Sequence, residues 1–246
     1  MPHFFIKSDK VNNNQIIIDD KDNYNHIVKS LRSKIGENLL LIDENEIEYK
    51  TKIIEITNNL ISVNIEQSYK SERDLLYNLY LAQSPLKSDA QLTIVEKATE
   101  LGVRGIYPIY TDNCALKKTV ATAKVEKWQK VMFEASKQCE RANIPRCFNL
   151  TDLKTVVEEG KFDIIIALCE KHTNGDLKDY LKCIANEMIK NKNILVIIGP
   201  EGGFSDKEFE YMKSKNLPML SLGDLILKAE TAVIVTLGNI IYELGK

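Results

Sequence analysis

Apolar residues in the first third of the chain fall in short runs and alternations with a period near two, the signature of strands that hide one face. The pattern predicts strands over 4–7, 15–18, 39–43, 46–56 and 60–65 and one helix over 22–32. Asp43-Glu44-Asn45 and Thr57-Asn58-Asn59 supply turn residues between consecutive strands. Beyond 69–73 the pattern changes. Continuous apolar runs at 76–83, 106–110, 163–168, 194–198 and 219–222 alternate with segments of helical period. Strands of that kind are buried on both faces, in a largely parallel sheet. The chain therefore divides into a small, mostly β domain over 1–72 and an α/β domain over 73–246.

Helix signals in the second part are specific. Ser88-Asp89-Ala90-Gln91 fits a capping box, Leu92, Val95, Ala98 and Leu101 follow at helical spacing, and Gly102 stands where a C-terminal glycine cap belongs. Residues 176–190 alternate charged and apolar faces in the same way. The segment 229–244 differs, because Val233, Ile234, Val235, Leu237, Ile240 and Ile241 leave it little polar face. A helix apolar all round is expected inside a core or against a second subunit.

The stretch ILVIIGPEGGFSDKEFE, 194–210, joins a buried strand to a helix through a turn rich in glycine. Ser205 and Glu208 fit a capping box at the start of that helix. Gly199, Gly202 and Gly203 admit close approach by a ligand, but the order G-P-E-G-G is neither a dinucleotide fingerprint nor a P-loop. Pro200 removes an N–H donor and Glu201 adds a negative charge, so a neutral or cationic ligand suits the turn better than phosphate. A plain connection without a ligand is the alternative.

With 44% hydrophobic and 28% charged residues, the composition is that of an ordinary globular chain. No apolar run approaches the roughly 20 residues of a membrane span, and the start MPHFFIKSDK lacks the layout of a secretory signal, so a cytoplasmic location is expected. Cys114, Cys139, Cys147, Cys169 and Cys183 form no C-x-x-C pair and read as reduced thiols. His3, His26 and His172 lie far apart, without partners at metal-ligand spacing, so no metal site is expected; His172 follows a strand end but reads as surface. The net charge is -2, but residues 114–146 carry Lys117, Lys118, Lys124, Lys127, Lys130, Lys137, Arg141 and Arg146 against three glutamates. This is either a solvated helix face or a phosphate track.

KATELGV (97–103), EASKQCERANIPR (134–146), IGPEGGFSDKEFE (198–210) and LSLGDLILKAETAV (220–233), in this order and after HIVKSLRSKIGE (26–37), resemble the RsmE family. These are bacterial 16S ribosomal RNA uridine-N3 methyltransferases of the SPOUT superfamily. The resemblance implies a PUA-like β-barrel followed by an α/β domain threaded as a trefoil knot. It implies S-adenosylmethionine as cofactor, with Leu168, Gly199, Pro200, Glu201, Gly202, Leu220, Leu222, Gly223 and Leu227 lining its site. The implied partners are 16S rRNA within the assembled 30S subunit and a second copy of the chain as a homodimer. Arg141 is the first candidate for stabilising the uridine anion or holding a target phosphate, followed by Glu230 and Lys228; a salt bridge is the alternative for each. The chain departs from the family pattern at Leu225, Lys228 and His3, where the family carries arginines. Two other readings stand beside this one: a methyltransferase of the same fold acting on another RNA position, and a non-catalytic RNA-binding module with a vestigial cofactor site.

Overall fold

The computed structural model describes residues 3–185 and 189–245, with only the backbone of Ser88. It separates into two units, Met1–Asp74 with Lys137–Ile144, and Leu75–Ser136 with Pro145–Lys246.

The first unit is built on strands β1 (His3–Phe5), β2 (Val11–Asn12), β3 (Gln15–Ile18), β4 (Asn38–Ile42), β5 (Ile47–Ile56) and β6 (Ile61–Lys70). They form one mixed sheet in the order β1-β4-β5-β6-β3-β2, with β1 parallel to β4 and the other pairs antiparallel. Alternation along β3 and β5 turns Ile16, Ile18, Tyr49 and Ile53 inward, where they meet Phe4, Ile27, Leu39 and Val63. The turn before β5 is held by Asp43, whose carboxylate accepts from the Asn45 and Ile47 N–H groups and from the Tyr49 hydroxyl. The helix expected over 22–32 is a short α1 (Lys21–Tyr24) that widens into a π-helical stretch, Asn25–Ser30. Its hydrogen bonds there span five residues, as from Leu31 N–H to the His26 carbonyl.

The second unit has a seven-stranded sheet in which every pairing is parallel. Its strands are β7 (Asn78–Gln83), β8 (Gly105–Pro108), β9 (Arg146–Cys147), β10 (Ile164–Leu168), β11 (Gly175–Asp176), β12 (Asn193–Ile198) and β13 (Met219–Ser221). Their order is β11-β13-β10-β12-β7-β8-β9. The two-residue strands β2, β9 and β11 were too short to be legible as periodic runs. Helices α2 (Ser88–Glu100), α3 (Lys118–Gln138), α4 (Leu153–Glu159), α5 (Leu177–Ala185), α6 (Asp206–Ser214) and α7 (Ala229–Leu244) complete the chain, with α3 running past the end of the second unit. One sheet face packs residues of α2, α3, α5 and α7, among them Val95, Trp128, Leu181 and Leu237. The other packs Leu153 and Val156 of α4 and Met212 of α6.

Two helix expectations need correction. α2 has Lys87 as its N-cap, and the Ser88 side chain of the expected capping box lies outside the described residues; the Gln91 carboxamide instead accepts the Leu86 N–H at 2.7 Å. The expected helix over 176–190 is described as α5 over Leu177–Ala185; 189–190 are not helical, and 186–188 lie outside the described residues. In α7, expected inside a core or against a second subunit, Val233, Thr236, Leu237 and Ile240 face the core and Tyr242 is 87% exposed. No described helix is long and apolar enough to cross a membrane.

Candidate functional site

Three loops leave the C-terminal ends of the neighbouring strands β13, β10 and β12, where open α/β sheets form their ligand crevices. They are 169–172 after β10, 199–204 after β12 and 222–227 after β13. Together with Ala229 and Ala232 of α7 they enclose a cavity of about 370 Å³, within the size range of small-molecule sites.

The glycine turn closes on itself through the Gly203 N–H, which donates to the Pro200 carbonyl at 2.9 Å. Two of its glycines sit in close quarters. A Cβ on Gly199 would lie 3.1 Å from the Phe204 ring, and one on Gly202 would lie 3.2 Å from Asn113 Cβ. Asn113 belongs to the loop after β8, and its side-chain amide donates to the carbonyls of Gly202 and Gly203 at 3.3 and 3.0 Å. Its neighbour Asp112 accepts from the Ser205 hydroxyl at 2.6 Å and donates its N–H to Glu208 at 3.1 Å. Ser205 and Glu208 form the expected reciprocal capping box at the start of α6. One short loop thus clamps both the turn and the helix that follows it.

Glu170, Glu201, Asp206 and Asp224 line the cavity against the single lysine Lys171, so its rim favours positive charge. Burial, reinforced by the charge of Glu170, pushes the Cys169 thiol up to about 12. The His172 ring lies 4.7 Å from that of Phe209, and both line the cavity. Leu168, Ile198, Phe204, Leu222 and Leu227 supply apolar wall, as do Leu225 and Ile226, which are 80% and 76% exposed. Among the described residues no cluster of His, Cys, Asp or Glu is placed to hold a metal.

The profile of an RNA methyltransferase domain matches residues 73–241, and that of an RNA methyltransferase PUA domain matches 18–66. A Rickettsia conorii protein named Ribosomal RNA small subunit methyltransferase E is 30% identical over 222 residues, spanning 89% of this chain and 86% of its own length. The chain belongs to the RsmE family. A Bacillus subtilis protein of the same name is 26% identical over 89% of this chain and 86% of its own. Among solved structures, a Legionella pneumophila protein described as a methyltransferase in complex with bound S-adenosylmethionine superposes with a TM-score of 0.81. It is 26% identical, with 98% of this chain and 97% of that one covered.

Of the residues that the RsmE resemblance implied for the cofactor, Leu168, Gly199, Pro200, Glu201, Gly202, Leu222, Gly223 and Leu227 line the cavity. Leu220 does not: it is 3% exposed on β13, in register with Leu168, and packs into the core. Lys228 and Glu230 flank the lining residue Ala229 but are not themselves in the wall. Lys228 is exposed as the N-cap of α7, and Glu230 sits in its first turn. Arg141 belongs to the first unit, where its side chain is only 6% exposed. Its guanidinium donates to Asp74 at 3.1 Å and to Asn143 at 3.2 Å, so the alternative foreseen for it, a salt bridge, is present. Asp112, Asn113, Glu170 and Asp206 were missed by sequence reasoning. The available signal for Asp112 and Asn113 was position: they lie just past the apolar run 106–110, at the C-terminal end of a strand.

Proposed function

We propose that the chain transfers the methyl group of S-adenosylmethionine to N3 of one uridine in 16S rRNA, uridine 1498 in the family, within the 30S subunit. The observation that carries this reading is the cavity itself, a glycine turn and two further loops at parallel strand ends, rimmed by carboxylates and walled by leucines. The donor set fits the cofactor: the rim of Glu170, Glu201, Asp206 and Asp224 suits its ammonium and sulfonium charges, and Leu168, Leu222 and Leu227 suit a flat adenine. When bound, the cofactor supplies an electrophilic methyl group. The chain holds the two reactants in line and excludes water, which is where much of such a rate arises.

Uridine N3 carries a proton at neutral pH, so a cation near the developing anion favours attack. Lys228, solvent-facing beside the cavity, is our choice for that charge or for a substrate phosphate; Glu230 is our candidate acceptor for the proton. Arg141, committed to Asp74, acts as a positioning residue for the segment Lys137–Ile144.

The same reading extends to the architecture. The chain crosses from β12 over β10 to β13, then returns in α7 to pack on α2, α5 and β12, which supports a trefoil-knotted threading. Register shifts between Lys50/Thr51 and Ile53/Glu55 bend the long β5–β6 hairpin as a PUA-like barrel requires. Exposed Leu225, Ile226 and Tyr242 support a homodimer. An rRNA target places the reaction in the cytoplasm.

The test is incubation of the purified protein with labelled S-adenosylmethionine and unmodified small subunits, followed by nuclease digestion and mass spectrometry. The expected product is 3-methyluridine at one position. Transfer to another base or another RNA would overturn the substrate reading. Cofactor binding by calorimetry without any transfer would leave a binding module.

A further inference from the structure

At the β7-β8-β9 edge of the second unit's sheet, away from the cavity-forming strand ends, four aromatic rings gather on one face. Tyr80 of β7, Tyr107 of β8, Phe148 just past β9 and Phe162 just before β10 are all half-buried. Phe148 stacks flat on Tyr107, with centroids 3.9 Å apart and planes 3° from parallel. Phe162 meets Tyr80 and Tyr107 edge-on at 5.4 and 5.9 Å. The seat of Phe148 depends on Gly105, where a Cβ would fall 2.7 Å from the ring. Gly105 faces Arg146 across the β8–β9 pairing, and the Arg146 guanidinium carbon lies 4.9 Å over the Phe148 ring.

Filling a core explains half-buried rings but not what tops them. Arg146 is exposed and forms no ion pair among the described residues. The Tyr80 and Tyr107 hydroxyls likewise bond to no protein group among those residues. A planar, weakly hydrated cation over an aromatic face is the arrangement that proteins offer to unpaired nucleobases. The strand that carries it is held rigidly: Gln129 of α3 donates to the Pro145 carbonyl at 3.0 Å and accepts the Cys147 N–H at 2.8 Å.

We propose that the Tyr107–Phe148–Arg146 column is a stacking site for an unpaired base of the substrate RNA, with the Arg146 charge meeting the adjacent phosphate. This rests on RNA being the substrate, but not on which uridine is methylated. The ligand chemistry is a flat π-face next to a negative charge, which an extended single strand presents at each nucleotide and a duplex does not.

The test is fluorescence anisotropy of the full chain with a labelled, unstructured oligouridylate of about ten nucleotides, with no cofactor present. Arg146→Lys keeps the charge and removes the planar group. It should weaken binding at least about fivefold, with the melting temperature and the affinity for S-adenosylmethionine retained. Phe148→Leu should weaken it by at least as much. Wild-type affinity in Arg146→Lys would mean that charge alone acts there and would overturn the proposal, as would absence of oligonucleotide binding by the wild type. Intact, Arg146-dependent binding without methyl transfer to small subunits would instead count against the catalytic reading alone.

Discussion

Gly202→Val perturbs the candidate cofactor loop where it meets Asn113. The first atom of the new side chain would sit 3.2 Å from Asn113 Cβ, several tenths of an ångström inside ordinary carbon contact, before either γ-methyl is placed. Gly202 has no positive φ, so the cost is one of space and not of backbone strain. Asn113 is exposed and can swing away, but only by giving up its bonds to the Gly202 and Gly203 carbonyls. Two neutral hydrogen bonds are worth about 1–3 kcal/mol at most, and at an exposed residue the low end, about 1 kcal/mol, applies. That shifts the melting temperature by only about 2–4 °C. The same loss of loop order, together with the methyl groups beside the cavity, should weaken S-adenosylmethionine by about tenfold or more, since pre-organisation of a binding loop is recovered directly as affinity. Calorimetry with the cofactor beside thermal melts measures both. Unchanged affinity in a folded variant would refute the placement of the cofactor against this turn. A loss of stability far above about 1 kcal/mol would show that the clamp belongs to the folding core and not to a ligand loop.

Arg141→Ala strips the partner from a largely buried Asp74 carboxylate, so it should cost about 3 kcal/mol of stability; a melting temperature like the wild type's with turnover abolished would restore a direct chemical role for Arg141. Glu48 is 1% exposed. Burial works to raise its pKa, yet hydrogen bonds from Ser71, Arg73 and Tyr69 outweigh it and hold the carboxyl below its ordinary value of 4.5. A depressed carboxyl stabilises the fold above its unfolded pKa and loses that contribution as pH falls through the folded one. The stability gap between wild type and Glu48→Gln, measured by denaturant titration, should therefore be full at pH 7 and shrink below about pH 4.5; a gap constant with pH contradicts the assignment. Burial pushes the Cys147 thiol up to about 12, and burial with the Glu170 charge does the same for Cys169. Alkylation of the native protein at pH 8 should therefore mark exposed Cys183 well before either, as peptide mass spectrometry would show.

What the sequence determined by itself was local. Apolar runs at 76–83, 163–168 and 194–198 read as buried strands, and Ser205 with Glu208 specified a helix start that the structure reproduces bond for bond. The glycine turn carried its own message, since Pro200 and Glu201 in G-P-E-G-G suit a neutral or cationic ligand better than phosphate. Those signals depend on neighbours a few residues apart, where period and capping chemistry act. Tertiary structure decided everything that depends on distance in space. It put the loop of Asp112 and Asn113 against a turn about 90 residues away and paired Arg141 with Asp74 across 67 positions. It also sent Leu220 into the core while its neighbour Leu222 lines the cavity. A linear pattern records what a residue needs to be near, such as oil, water or an opposite charge. Which partner meets that need is fixed only when strands distant in the chain come to lie side by side.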